Sequence, residues 1–373
     1  MPAKRFRPRV IPALVVLVPW CCAVAPSVAD SPFATTVFDY SPAPGQAVQQ
    51  PQFNNPAAAL GAPVGGGLTT PDNSKVVTLG GFGGSITLGF DHSIWANAHN
   101  PLGMDFIIYG NGFYVGGDPT RRWAECGVIE VSRDDNHNGI PDDKWYVIPG
   151  SALSSGVPLA KTVKTWDAAT LNPTWVPPGR SGTWTSASYE LSGAPFNASP
   201  PLVDPDPANE QVWGYADLMP TLLLGDTGAN DTVTNPDADP ALFYVAPDDP
   251  LKVGVTPGSG GGAAFALRWA VDPVTGLPAN LDRFDFLRIS TAIDYVSPIL
   301  GEVSPEIGAV ADVRPVYTAD WNLDGRVTVQ DIFDFLTDWF ANSGENGGAD
   351  FNNSGSTTVQ DIFDFLVAWF AGH

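Results

Sequence analysis

One phrase occurs twice at the end of this chain, DWNLDGRVTVQDIFDFLTDWF from Asp320 and DFNNSGSTTVQDIFDFLVAWF from Asp350. Set against a twelve-residue calcium loop, the first copy places Asp320, Asn322 and Asp324 at positions 1, 3 and 5 and Gly325 at the sharp turn of position 6. Arg326 offers a backbone carbonyl at 7, Thr328 falls at 9 and Asp331 at 12. The second copy fills the same slots with Asp350, Asn352, Ser354, Gly355, Ser356, Thr358 and Asp361. A lone match is a common turn, whereas two in register, each before an amphipathic run, point to two Ca2+ sites. The runs place Ile332, Phe335, Leu336, Trp339 and Phe340, then Ile362, Phe365, Leu366, Trp369 and Phe370, at helical spacing. Helices this short are marginal alone, so metal loops and mutual packing are both needed.

With Asp rather than Glu at position 12 and one helix after each loop, residues 317–373 resemble a dockerin, a small duplicated calcium module that plugs into a cohesin partner. The resemblance implies a non-catalytic docking role, with Val329, Gln330, Val359 and Gln360 at the family's recognition positions. The hydroxylated pair and the basic helix residues common in cellulosomal dockerins are absent here.

At the other end, Lys4, Arg5, Arg7 and Arg9 precede the apolar run IPALVVLVPWCCAVA, and Ser27 and Ala29 supply small residues. Residues 1–29 therefore read as a secretory leader cut before Asp30, with an exported, extracellular or cell-surface product. The run is too short for an ordinary span, and no other stretch is apolar enough to cross a bilayer. Removing the leader takes Cys21 and Cys22 with it and leaves Cys126 alone, so no intramolecular disulfide is expected. A net charge of −22 argues against nucleic acid and anionic membranes as partners.

Residues 30–316 read as mainly β, a sandwich or jelly-roll of two packed sheets, preceded by a Pro/Gly-rich wrapping segment over 30–75. The strand signals are KVVTLGG, GSITLGF, MDFIIYG, GVIEVSR, KWYVIPG, AAFALRWAVD and FDFLRISTAI, set between Gly, Asn and Asp clusters. The stretch VRPVYTAD is the expected hinge into the tail. Between two strand signals, RDDNHNGIPDDKWY repeats the loop opening with Asp134, Asn136, Asn138 and Gly139, followed by Ile140 and Asp142, with Asp143 available to close a third Ca2+ site. Position 12 is Trp145, so this loop looks more like those of thrombospondin-type repeats; a polar hairpin tip explains the same residues. The wording around it, especially GFDHSI, YGNGF and NGIPDDKWY, resembles a family of bacterial exported cell-surface proteins, which implies a β-sandwich surface module without a settled catalytic role.

No recognised nucleophile or metal-hydrolase motif accompanies His92, His99, His137 or His373, so no catalytic residue is assigned. Acid/base carboxylates are defined in space rather than by spacing, which leaves Glu125, Glu130, Asp105 and Asp217 as candidates. Trp166, Trp175, Trp184 and Trp213 lie in irregular segments where a ring could meet a polysaccharide. The expected function is a calcium-binding, tail-anchored surface component; the alternative is a glycoside hydrolase or lyase delivered by the same tail.

Overall fold

The computed structural model describes residues 30–119, 122–123, 125–149, 157–191, 215–249, 254–297, 301–324, 326–341 and 348–372. The leader and Trp213 lie outside the described residues, as do Gly325 and His373. The chain is mainly β. Its largest sheet runs in the order β1 (Thr36–Ser41), β3 (Ser85–Trp95), β13 (Arg283–Thr291), β7 (Glu125–Ser132) and β11 (Tyr215–Asp217), with β8 (Trp145–Ile148) also on β7. Three further strands, β12 (Ala263–Phe265), β4 (Phe106–Tyr109) and β17 (Ala309–Asp312), form a second sheet. Small ribbons pair β2 (Val77–Thr78) with β16 (Glu306–Ile307), β5 (Phe113–Tyr114) with β6 (Arg122–Trp123), and β14 (Val296–Ser297) with β15 (Gly301–Glu302). All pairings are antiparallel.

Alternation along β4 explains how the two larger sheets meet. Phe106 and Ile108 join the core beneath the large sheet, with Ile86, Leu88, Val128, Leu287 and Ile289. Ile107 and Tyr109, on the opposite face, join a second core with Leu222, Phe243 and Tyr244. Successive strand side chains point to opposite faces, so a strand apolar at every position is one covered on both sides. The small sheet is thus a middle layer, with a loop layer and the short helix α1 (Pro240–Phe243) on its outer face.

Two segments differ from the sequence reading. The 30–75 segment does wrap, but it also contributes β1, an edge strand bonded to β3 from Thr36↔Gly89 to Ser41↔Ser85. The Trp-rich stretch after 160 forms a hairpin of β9 (Thr162–Asp167) and β10 (Thr183–Ser188). The Pro and Gly residues that mask it occupy the long turn between the strands rather than the strands themselves.

The tail consists of α2 (Val329–Ala341) and α3 (Val359–Ala371). Phe335 and Phe365 stack at 4.3 Å with their planes 4° apart, beneath Trp321 and Phe351. Each helix reaches across to the other loop: Trp339 Nε1 donates to the Thr358 carbonyl at 2.8 Å, and Trp369 Nε1 to the Thr328 carbonyl at 2.7 Å. One half therefore completes the other. Phe340 and Phe370 do not join this core; both are 71% exposed. At about 100° per residue, five residues beyond Phe335 or Phe365 turn the ring roughly 140° away from the buried face. The expected hinge is pinned to the sheets, since Val316 N donates to the His99 carbonyl at 3.1 Å and Asn97 Nδ2 to Tyr317 Oη at 3.0 Å. The His99 ring lies 4.4 Å from Trp321 and extends the aromatic core of the tail into the front domain.

Candidate metal loops and a buried carboxyl cluster

The repeated loops share one hydrogen-bond plan. In the second, Ser354 N donates to Asp350 Oδ1 at 2.9 Å and Gly355 N to Asp350 Oδ2 at 2.7 Å, while Asn352 Oδ1 also accepts from Ser354 N. In the first, Asp324 N donates to Asp320 Oδ1 and Asn322 Oδ1, both at 3.1 Å, and Arg326 N to Asp324 Oδ1 at 2.9 Å. Position 4 adopts positive φ in both, 57° at Leu323 and 54° at Asn353, and Gly355 follows at 85°. These turns draw the side-chain oxygens of positions 1, 3 and 5 toward the inside of the loop, the kind of oxygen set that a hard divalent cation takes.

Position 12 ties each loop to its helix. Asp331 accepts from Trp321 N at 2.9 Å and from Thr328 N at 2.6 Å, and Asp361 accepts from Asn352 N at 3.2 Å and from Thr358 N at 2.6 Å. Burial works against ionisation of Asp331, but the amides of Thr328, Asn322 and Trp321 hold its carboxyl below the ordinary carboxylate value. In the second loop burial and then the approach of Asp361 push the Asp350 carboxyl up. Two carboxylates folded against each other at positions 1 and 12 suit a cation between them. The residue set fits calcium: Asp320, Asn322, Asp324, Arg326, Thr328 and Asp331 would hold one ion, and Asp350, Asn352, Ser354, Ser356, Thr358 and Asp361 a second.

The front loop repeats the opening. Asp134 accepts from Asn138 N at 3.1 Å and Gly139 N at 2.8 Å, Asn136 Oδ1 from Asn138 N at 3.0 Å, and Asn138 Oδ1 from Ile140 N at 2.7 Å. His137 and Gly139 have positive φ, 57° and 70°. Asp142 accepts from the carboxamides of Asn136 and Asn138, and Asp143 Oδ2 from Asp135 N at 3.1 Å, so both acids face the turn. Asp134→Ala combined with Asp142→Ala is expected to lower the melting temperature more in calcium than in chelator, where only the loop's own hydrogen bonds are lost. An equal loss in both conditions would reduce this loop to a hairpin tip.

A fourth loop shows what the turn alone is worth. Asp226 accepts from Asn230 N at 3.2 Å and Asp231 N at 2.9 Å, and Ala229 and Asp231 have positive φ. Yet position 3 is Gly228, which has no side-chain oxygen to offer, and Asp231 turns its carboxylate to Leu68 N and Thr69 Oγ1, each at 3.0 Å. This turn anchors a strap of chain. What sets the tail loops apart is the Asn at position 3, whose side-chain oxygen joins the turn, together with a position-12 Asp bonded to the loop's own amides.

Of the acid/base candidates, the fold brings Glu125 and Asp217 together as a cross-strand pair and adds Glu306 from β16, which no sequence signal singles out. One carboxyl oxygen from each lies within 4.8 Å of the others, and the residues are 4%, 1% and 9% exposed. Gly112 N donates to Asp217 Oδ1 at 2.6 Å. Burial, then Glu306 and Asp217, push the Glu125 carboxyl well up; burial, then Glu306, do the same to Asp217. Burial pushes Glu306 up to about 7, against hydrogen bonds with Glu125, Thr78 and Asn111. Such depth leaves no face for a sugar ring. Asp105 and Glu130 lie elsewhere: Asp105 accepts from Leu267 N and Asn100 Nδ2, and Glu130 pairs with Lys161 at 2.8 Å.

Trp166 is 4% exposed, bonded through Nε1 to Ser186 Oγ at 2.8 Å, so it is core rather than a sugar platform. Trp184, its cross-strand neighbour, and Trp175 are half-buried. The recognition candidates behave differently. Val329 and Val359 are 55% and 56% exposed, and Phe333 and Phe363 stand one turn further on the same outward faces. Gln330 and Gln360 are held by Asp334 and Asp364, at 2.9 and 2.8 Å.

Fold and site together define a mainly β chain with a helical tail built on two oxygen-rich loops. No protein-family model matches it, and no curated protein does so. Among the described residues no helix is long and apolar enough to cross a membrane.

Proposed function

We propose that this chain is a secreted, calcium-binding surface or extracellular-complex component in which a β-sandwich front domain is anchored by a dockerin-like tail. The observation that supports this reading most strongly is the doubled half-site: each loop turns its oxygens inward, and each following helix presents an outward apolar stripe. Val329, Phe333 and Phe340 make one stripe, and Val359, Phe363, Val367 and Phe370 the other, all at least half exposed. Exposed aromatic side chains repeated at helical spacing are the kind of anchors that protein interfaces use. A cohesin-like receptor is the proposed partner, and docking rather than catalysis is the proposed role.

The test uses the calcium-loaded full chain against immobilised cohesin modules. Phe333→Ala with Phe363→Ala is expected to leave calcium-induced helix unchanged, since neither ring joins the tail core, while capture falls at least tenfold. Failure of the parent chain to bind any module, with its calcium sites filled, would remove the docking role and leave a calcium-stabilised tail.

A further inference from the structure

Beside each outward stripe of the tail stands one fixed carboxylate. Asp334 follows Phe333 and Asp364 follows Phe363, so each acid lies about 100° round its helix from the exposed ring, between the stripe and the buried face. Two amides hold it there. Asp334 Oδ1 accepts from Gln330 Nε2 at 2.9 Å and Oδ2 from Asn322 Nδ2 at 3.0 Å; Asp364 repeats the pattern with Gln360 and Asn352, both at 2.8 Å. A carboxylate offers about four lone-pair positions, so about two remain on each. Asn322 and Asn352 also turn Oδ1 into their loops, which links the position of each acid to closure of its loop.

Charge then restricts what can cover the stripes. Neither helix contains a Lys, Arg or His, and Arg326 is the only Lys or Arg of residues 317–373. Asp338 takes the Trp321 indole at 2.8 Å, whereas Asp334 and Asp364 are bonded to neutral amides, which leave the charge in place. A second copy of the chain would bring the same acids against them, and like charges across an interface cost affinity. Arginine reverses the sign and suits both parts of the surface, since its planar head pairs with a carboxylate in a fork and stacks on an aromatic ring. We infer that the occupant of each stripe is a protein surface with an apolar floor and an arginine at its rim, which pairs with Asp334 on α2 or Asp364 on α3. The inference rests on the docking role proposed above and specifies the chemistry of the partner.

The probes are three leucine-faced amphipathic helical peptides that differ only in their rim, which is arginine, glutamine or glutamate. Titrated calorimetrically into the calcium-loaded full chain, the arginine peptide is expected to bind about tenfold tighter than the glutamine peptide, and the glutamate peptide weakest. A net charge of −22 attracts any cationic peptide diffusely, so the variants carry the decision. Asp334→Asn with Asp364→Asn is expected to cost the arginine peptide about tenfold and the glutamine peptide nothing. Asp39→Asn with Glu190→Gln removes as much charge from exposed positions of the front domain and is expected to change neither. Asp334→Lys with Asp364→Lys is expected to move the preference to the glutamate peptide, a reversal that loss of tail structure cannot produce, and circular dichroism in calcium checks that the helices form. An arginine peptide affected equally by the tail and front pairs would overturn the arginine partner, while release of the glutamine peptide by Phe333→Ala with Phe363→Ala would keep the docking stripe. Binding of no peptide to a calcium-loaded, helical tail would remove the stripe as a docking face and this inference with it.

Discussion

Chelating calcium from the full chain is expected to abolish α2 and α3 while the sheets remain folded. The tail has one small core, centred on Phe335, Phe365 and Trp321, and its two indole bridges end on Thr328 and Thr358, both within the loops. Without a cation, Asp350 and Asp361 of the second loop are left facing each other, and burial together with Asp361 pushes the Asp350 carboxyl up. A ligand at a thousandfold its dissociation constant stabilises a fold by about 4 kcal/mol per site, which is comparable with the whole stability of a domain this small. The two sites are unequal. Loop one brings Asp320, Asp324 and Asp331, whereas Ser354 stands where loop two would have its third acid. Affinity in such loops rises with ligand charge, so the first site is expected to fill at lower calcium, and Asp320→Ala to harm the tail more than Asp350→Ala. Circular dichroism unchanged by chelator, or calorimetry with two equal sites, would defeat this account.

Lowering the pH from 8 to 5 is expected to stabilise the sheets, the reverse of ordinary acid sensitivity. An unfolded glutamate titrates near 4.3, about the reference value, whereas Glu306 in the fold is pushed up to about 7. Between those values the folded chain keeps a proton that the unfolded chain has released, so stability is fully present below the window and declines as pH rises through it. Glu125 and Asp217, both held well up by burial, add to the loss in the same direction. A shift of this size corresponds to about 3 kcal/mol, or on the order of 5 °C in a domain this large. Glu306→Gln keeps the shape and removes the ionisation, so it should melt above the parent at pH 8 and level with it at pH 5. Calorimetric scans of both chains in chelator isolate the effect from the proposed metal loops. A variant no more stable than its parent at pH 8 would mean that the three carboxyls are not sharing protons in the interior.

These two expectations differ in how far the sequence anticipates them. The loops are legible because such a turn is a local object: its inward oxygens come from consecutive alternate positions and its reversal from one or two residues of positive φ. Spacing alone therefore predicts the inward oxygens of Asp320, Asn322, Asp350 and Asn352. Alternation in a run such as FDFLRISTAI predicts a strand for the same reason, since side-chain direction along a strand is fixed every second residue. The unbroken apolar run of β4 marks a strand covered on both faces, but only the fold says that the second cover is the loop layer carrying Leu222 and Tyr244.

By itself, the sequence determined a mainly β front, a tail doubled on itself, and the loop positions at which oxygens would gather. Tertiary structure alone decided that Glu306 meets Glu125 and Asp217, because β16 is remote in sequence from both β7 and β11 and a carboxyl cluster has no spacing rule. It also decided that Trp166 is core and that Asp30 lies against the second loop. The physical reason is common to all three: short-range geometry is set by the backbone, whereas burial is set by which distant surface arrives to cover a side chain.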